Sequence, residues 1–203
     1  MNSTNIVALQ HLMKDNILRK IIETAALQES PRDRNLYEEL LDAIVSQQLS
    51  VKAANTIFNR FLDLFEDKNP LPERVLAMSA EDLRAVGLSF QKAGYIQNVA
   101  TFFKENNWEN KDWSGIADDE IICQLTQIKG VGKWTTQMIL MFTLGREDVF
   151  PTDDLGIQQG ISKAYGLTET GKALKIRMEE IALAWQPYRS VACRYLWRWK
   201  DSK

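Results

Sequence analysis

The sequence predicts an all-α fold on three observations. Apolar residues recur at helical spacing along nearly the whole chain, no stretch sustains a two-residue alternation, and helix-start signals stand where apolar patterns begin. Leu12, Ile17, Leu18, Ile21, Ile22 and Ala25 share one face of a first helix, which Ser30-Pro31 breaks. Leu36, Leu40, Leu41, Ile44 and Val45 define a second, and Ala54, Ile57, Phe58, Phe61, Leu62 and Phe65 a third. Asn69-Pro70-Leu71-Pro72 reads as a loop. Ser79 with Asp82 makes a capping box for a short helix ending at Gly87. Ser89 caps the next, built on Ala93, Tyr95, Ile96, Val99 and Phe102. Asp118, Asp119 and Glu120 suit the positive end of a helix reaching about Ile128. Further helices are expected from about Lys133 to Leu144, Asp154 to Ala164, Leu174 to Trp185 and Tyr188 to Trp199, with Pro187 at the first position of the last.

Composition bounds the function loosely. The 203 residues suffice for one domain or two small lobes, with 45% apolar and 26% charged residues. A net charge of −2 does not advertise nucleic acid, although a local patch can bind phosphates on an acidic protein. The N-terminus lacks the pattern of a secretory leader, and the longest apolar run, Met138 to Leu144, is of buried-helix length. A cytosolic protein without membrane partners is expected. Cys123 and Cys193 read as reduced core thiols. With the lone His11 they cannot make a standard structural zinc site or a four-cysteine iron–sulfur site.

Ile128-Lys129-Gly130-Val131-Gly132 separates two helical patterns. The glycines permit positive φ and close backbone approach, and the helix that follows starts with its N–H groups pointing outward. Those donors and the helix dipole make an anion site, flanked by Lys129 and Lys133. The same spacing also fits a plain helix–helix corner. In the second helix Trp134, Met138 and Met141 share a stripe, while Ile139, Leu140 and Phe142 occupy its other sides, so burial nearly all round is expected. Trp197 falls off the core stripe of the last helix, formed by Tyr188, Val191, Ala192, Tyr195 and Trp199. It reads either as a second packing layer or as the wall of an aromatic pocket. Of Asp153 and Asp154, one carboxylate can cap the next helix and the other can face a cleft, and spacing does not say which.

These parts come in a specific order. Leu125-x-x-Ile128-Lys129-Gly130-Val131-Gly132-x-Trp134-Thr135 followed by Val149-Phe150-Pro151-x-Asp153-Asp154-Leu155 resembles the helix–hairpin–helix DNA glycosylase superfamily, in its DNA-3-methyladenine glycosylase II branch. Ile44-Val45-Ser46-Gln47-Gln48-Leu49-Ser50, Gly87-Leu88-Ser89-x-x-Lys92-Ala93 and Trp185-x-Pro187-Tyr188-Arg189-Ser190 with Leu196-Trp197 extend the likeness from about residue 36 to the C-terminus. The resemblance implies two helical lobes: residues 36–153 as a helical barrel carrying the helix–hairpin–helix, and 1–35 with 154–203 as a second lobe, with the active site in the cleft between them.

It also implies roles. Asp154 is the catalytic carboxylate, and Asp153 supports the helix start. Gly130 and Gly132 grip phosphate, and the carbonyls of Thr126, Ile128 and Val131 hold a bridging monovalent ion. Trp134 and Trp197 are walls of the base pocket, Met138 stands where some members have tyrosine, and Gln48 fills the gap left by the flipped nucleotide. Strand-cleaving members place a lysine where this chain has Trp134; Lys133 projects about 100° away on the helix. A monofunctional glycosylase releasing N3- or N7-methylated purines from damaged double-stranded DNA is therefore expected, in the nucleoid or nucleus, as a monomer with no required cofactor and no iron–sulfur cluster. Alternatives are a non-catalytic DNA-binding module and a glycosylase for oxidised or mismatched bases.

Overall fold

The computed structural model describes residues 3–27 and 35–202, and their ordered backbone is helical. The break expected at Ser30-Pro31 lies outside the described residues. The chain divides into two compact units, one of Met1–Pro31 with Gly145–Lys203 and one of Arg32–Leu144.

Two helices of the discontinuous unit come first, α1 (Ser3–Leu12) and α2 (Asn16–Thr24); the continuous unit then opens with Asn35, whose side chain accepts the Glu38 N–H (2.9 Å) and caps the next helix. Helix α3 (Leu36–Ser46) buries Leu36, Leu40, Leu41, Ile44 and Val45 against α4 (Val51–Leu62) and α7 (Phe90–Asn106). Each buried leucine or isoleucine contributes about 1.5–3 kcal/mol relative to exposure. Ser50 caps α4, which buries Ala54, Phe58 and Phe61. Pro72 opens the short α5 (Pro72–Leu76), so the loop expected over 69–72 gives way to a helix at its last residue. The Ser79–Asp82 capping box starts α6 (Ala80–Ala85), and Gly87 turns the chain at φ +107°. Ser89 caps α7, which ends on a left-handed Asn107. Helix α8 (Asp118–Leu125) stops three residues earlier than expected, and α9 (Lys133–Phe142) follows the turn. Cys123 lies on the exposed side of α8, not in the core, because Ile121 and Leu125 are its buried positions.

In the discontinuous unit the first apolar pattern is two helices. Asp15 interrupts it by accepting the N–H groups of Ile17 and Leu18 (2.8 and 3.1 Å), which begins α2 afresh. The unit continues with α10 (Leu155–Tyr165), α11 (Gly171–Ala182), a 3₁₀ turn (Leu183–Trp185) and α12 (Arg189–Asp201). Helix α12 packs on α10 and α2, and Trp185 is fully buried. Pro187 is not the first residue of α12; Tyr188 is the N-cap and Arg189 the first helical residue.

Residues 145–153, expected with the larger lobe, group with the terminal helices. Side-chain bonds account for it. Arg189 holds the Asp148 carboxylate through Nε and Nη2 (2.7 and 2.9 Å), and Ser190 Oγ accepts the Val149 N–H (2.9 Å). The Ser190 N–H donates to the Glu147 carbonyl (2.9 Å). Among the described residues no helix is long and apolar enough to cross a membrane.

Candidate active site

The turn between α8 and α9 is fixed from three sides. Gly130 sits at φ +109°, and a Cβ there would come within 2.7 Å of Tyr95 Cβ and Cδ2. Only glycine accommodates both the backbone and the ring. Asn98 Nδ2 donates to the Lys129 carbonyl and Gln47 Nε2 to the Gly130 carbonyl, each at 3.1 Å. Gly132 is the N-cap of α9, and no side chain caps that helix start. The first amides and the dipole are thereby presented as an anion site, with Lys129 and Lys133 exposed on either side.

Helix α9 is not buried all round. Thr135, Thr136, Gln137, Ile139, Leu140 and Met141 are buried, while Trp134 and Phe142 are 47% and 44% exposed and Met138 is half-buried. Residues 134, 138 and 142 are spaced by four, so they form one open stripe, and Met141 belongs to the core instead. That stripe lines a cavity of about 640 Å³ whose opposite side comes from α3 and the start of α4. Gln48 lines it too, and Glu39 and Asp42 bring carboxylates. The apolar periodicity of α3 gave no signal for those two acids.

Gln48 lies in the four-residue link between α3 and α4, with φ +58°. A left-handed conformation at a residue other than glycine costs about 1–3 kcal/mol and is kept where its surroundings impose it. Here Lys92 braces the residues before it. Its Nζ donates to the carbonyls of Val45 and Gln47, both at 2.7 Å, and burial pulls the amine below the usual lysine range.

In the other unit, Asp154 caps α10. Its Oδ1 accepts the Ile157 N–H at 2.8 Å and the Trp197 indole N–H at 2.8 Å. The Asp153 carboxylate is an ion-pair partner of Lys175, and the side chain that caps the helix is that of Asp154. One carboxylate therefore serves as cap and as the partner of Trp197. Trp197 is half-buried rather than sealed in a core. Gly156, which sequence reading passed over, makes this possible: a Cβ there would lie 2.9 Å from Trp197 Cδ1 and Nε1 and 3.0 Å from Asp154 Oδ1. Cys193, one turn before Trp197, is buried, and burial, with the Asp154 charge, pushes its thiol well above the usual range. A neutral thiol there is no competing nucleophile.

The structure thus brings Gln48, Trp134 and Met138 to one cavity, ties Gln47 to the hairpin, and joins Asp154 to Trp197 by a hydrogen bond. The first group belongs to the continuous unit and the second to the discontinuous one. Thr126 and Lys129 are exposed in the hairpin, and Ile128 and Val131 are buried beneath it.

Residues 41–187 match the HhH-GPD superfamily of base excision DNA repair proteins. DNA-3-methyladenine glycosylase 1 of Schizosaccharomyces pombe is 36% identical over 184 residues, which is 89% of this chain and 79% of that protein. The DNA-3-methyladenine glycosidase of Bacillus halodurans superposes with a TM-score of 0.83 at 35% identity, covering 95% of this chain and 88% of that one. The S. pombe 3-methyladenine DNA glycosylase solved in complex with abasic DNA superposes at 0.75, with 34% identity and 94% coverage of both chains.

Proposed function

Because the chain belongs to the HhH-GPD superfamily of base excision DNA repair proteins, we propose that it is a monofunctional DNA glycosylase that releases alkylated purines. The observation carrying this reading is the Asp154 carboxylate, held at a helix start by the Ile157 N–H and the Trp197 indole.

A base inside the duplex is out of reach, so it must be extruded at a cost of a few kcal/mol, less when it is damaged. The hairpin at Gly130–Gly132, with Lys129 and Lys133, grips phosphates and carries no sequence information. Gln48 fills the vacated space. Trp134 and Met138 supply surfaces on which the extruded base stacks, and Trp197 supplies an indole beside Asp154. A purine methylated at N3 or N7 is cationic, and π-faces attract it by about 0.5–2 kcal/mol.

The C1′–N bond then breaks with its electron pair moving to the base, which leaves neutral. Charge left on the sugar is stabilised by the Asp154 carboxylate. Water adds its oxygen to C1′ and passes a proton to that carboxylate, giving an abasic site. The position that would need an amine for Schiff-base chemistry is Trp134. The hydrolysis uses no cofactor.

A monovalent cation at the hairpin fits the residues present. Among the described residues no group of three His, Cys, Asp or Glu side chains is placed to hold a metal ion, and the donors that the turn itself offers are neutral backbone carbonyls. The Ile128 carbonyl accepts the Val131 N–H (2.9 Å), which uses one of its two lone pairs. Thr126, Ile128 and Val131 would hold the ion, which supplies positive charge for a DNA phosphate.

Asp154→Asn tests the reading. Asparagine caps a helix about as well as aspartate, so folding is preserved. Excision of methylated purines should fall at least about a hundredfold, while affinity for the lesion duplex stays within a few-fold. Undiminished excision would remove Asp154 from the reaction.

A further inference from the structure

Helix α7 connects the two elements that the proposed function assigns to DNA. Lys92, Tyr95 and Asn98 are spaced i, i+3 and i+6, which places them along one side of the helix. Lys92 holds the α3–α4 link through the carbonyls of Val45 and Gln47, both at 2.7 Å. Tyr95 lies against Gly130, and Asn98 holds the Lys129 carbonyl at 3.1 Å. Gln47, the neighbour of Gln48, closes the triangle by donating to the Gly130 carbonyl at 3.1 Å. The link and the hairpin are therefore attached to one rigid rod and to each other.

We propose that α7 is a strut that sets the distance between the Gln48 side chain and the phosphate-gripping hairpin, and that Lys92 is the positioning residue at its working end. This rests on the reading of Gln48 as the residue that enters the duplex. Insertion at a fixed offset from a gripped phosphate needs both parts to move together. A Gln48 link released from Lys92 would relax out of its left-handed turn, and its side chain would no longer be aimed. The hairpin, still held by Tyr95 and Asn98, would continue to grip phosphate. Lys92 thus controls extrusion rather than affinity.

Lys92→Met keeps the aliphatic stem and removes both bonds. Single-turnover excision by saturating enzyme should slow about tenfold, as should that of Gln48→Ala. Affinity for undamaged duplex should change less than about threefold. Lys92→Arg, which retains a cationic donor, should recover most of the rate. The decisive measurement is the double variant of Lys92→Met with Gln48→Ala. If Lys92 acts through Gln48, the pair is no slower than the slower single variant within about twofold. A loss equal to the product of the two overturns the strut, as does a wild-type rate for Lys92→Met beside a slow Gln48→Ala. A wild-type rate for Gln48→Ala overturns the intercalation reading itself, and the strut with it. Gln47→Ala, at a half-buried side chain, gives a second test that does not depend on Lys92→Met folding: it should slow excision about threefold, again without loss of duplex affinity, and no slowing counts against the strut.

Discussion

At the scale of single residues, the site depends on an atom that is missing. Gly156 has no Cβ, and the indole of Trp197 occupies the space beside it while donating to Asp154. Gly156→Ala should displace the ring and lengthen that bond. Alanine favours a helix by about 0.5–1 kcal/mol over glycine, so the melting temperature should change little while single-turnover excision drops about tenfold. Trp197→Phe, which deletes the donor, should match that loss if the hydrogen bond is what matters. Asp154 was legible in the sequence because it stands in a recognisable motif, and Trp197 because it falls off an apolar stripe. Gly156 was not, since a glycine inside a helical pattern does not declare what lies against it. Spacing also left open which of the two aspartates caps α10; the answer depends on Lys175, 22 residues away, which takes Asp153.

At the scale of elements, the two glycines of the hairpin answer to different physics. Gly130 has φ +109° and the Tyr95 ring against it, whereas a Cβ on Gly132 would meet nothing within 4 Å. Gly130→Ala should destabilise the protein by about 1–3 kcal/mol in urea titrations. Gly132→Ala should leave stability unchanged, yet weaken duplex binding severalfold if the proposed phosphate grip is right, because a methyl group would then stand before the open amides. Equal effects from both would mean that the turn is only a corner. Helix positions were readable from 3.6-residue spacing and caps such as Ser50, Ser79 and Ser89. Which faces stay open was not. Trp134 and Phe142 look like core residues by composition, and only the cavity beside α3 shows that they are not.

At the scale of the whole molecule, long-range bonds decide how the chain is partitioned. Asp15 receives the Tyr165 hydroxyl at 2.6 Å and the Trp185 indole N–H at 3.3 Å, joining α2 to segments 150 and 170 residues later. Burial works to raise its pKa, but the hydrogen bonds from Tyr165, Leu18, Ile17 and Trp185 together hold it below the usual value. A depressed carboxyl stabilises the fold above its unfolded value of about 3.9, and that contribution is lost as pH falls through the folded value. Asp15→Asn keeps the cap and loses the charged acceptor, so at pH 7 it should cost about 1–2 kcal/mol in urea unfolding. The difference from wild type should shrink below about pH 4. The boundary near residue 145 was invisible in the sequence because residues 145–153 carry no periodic pattern, and the Arg189–Asp148 and Ser190–Val149 bonds that fix their allegiance span 41 positions. The discontinuous unit is assembled from Met1–Pro31 and Gly145–Lys203, with all of Arg32–Leu144 between them. During vectorial synthesis the ribosome therefore delivers every residue of the hairpin unit before the segment that bears Asp154. A transcript truncated after residue 144 would encode the hairpin without Asp154, so under the role proposed for that carboxylate a nascent copy acquires hydrolytic competence only after its hairpin unit is complete.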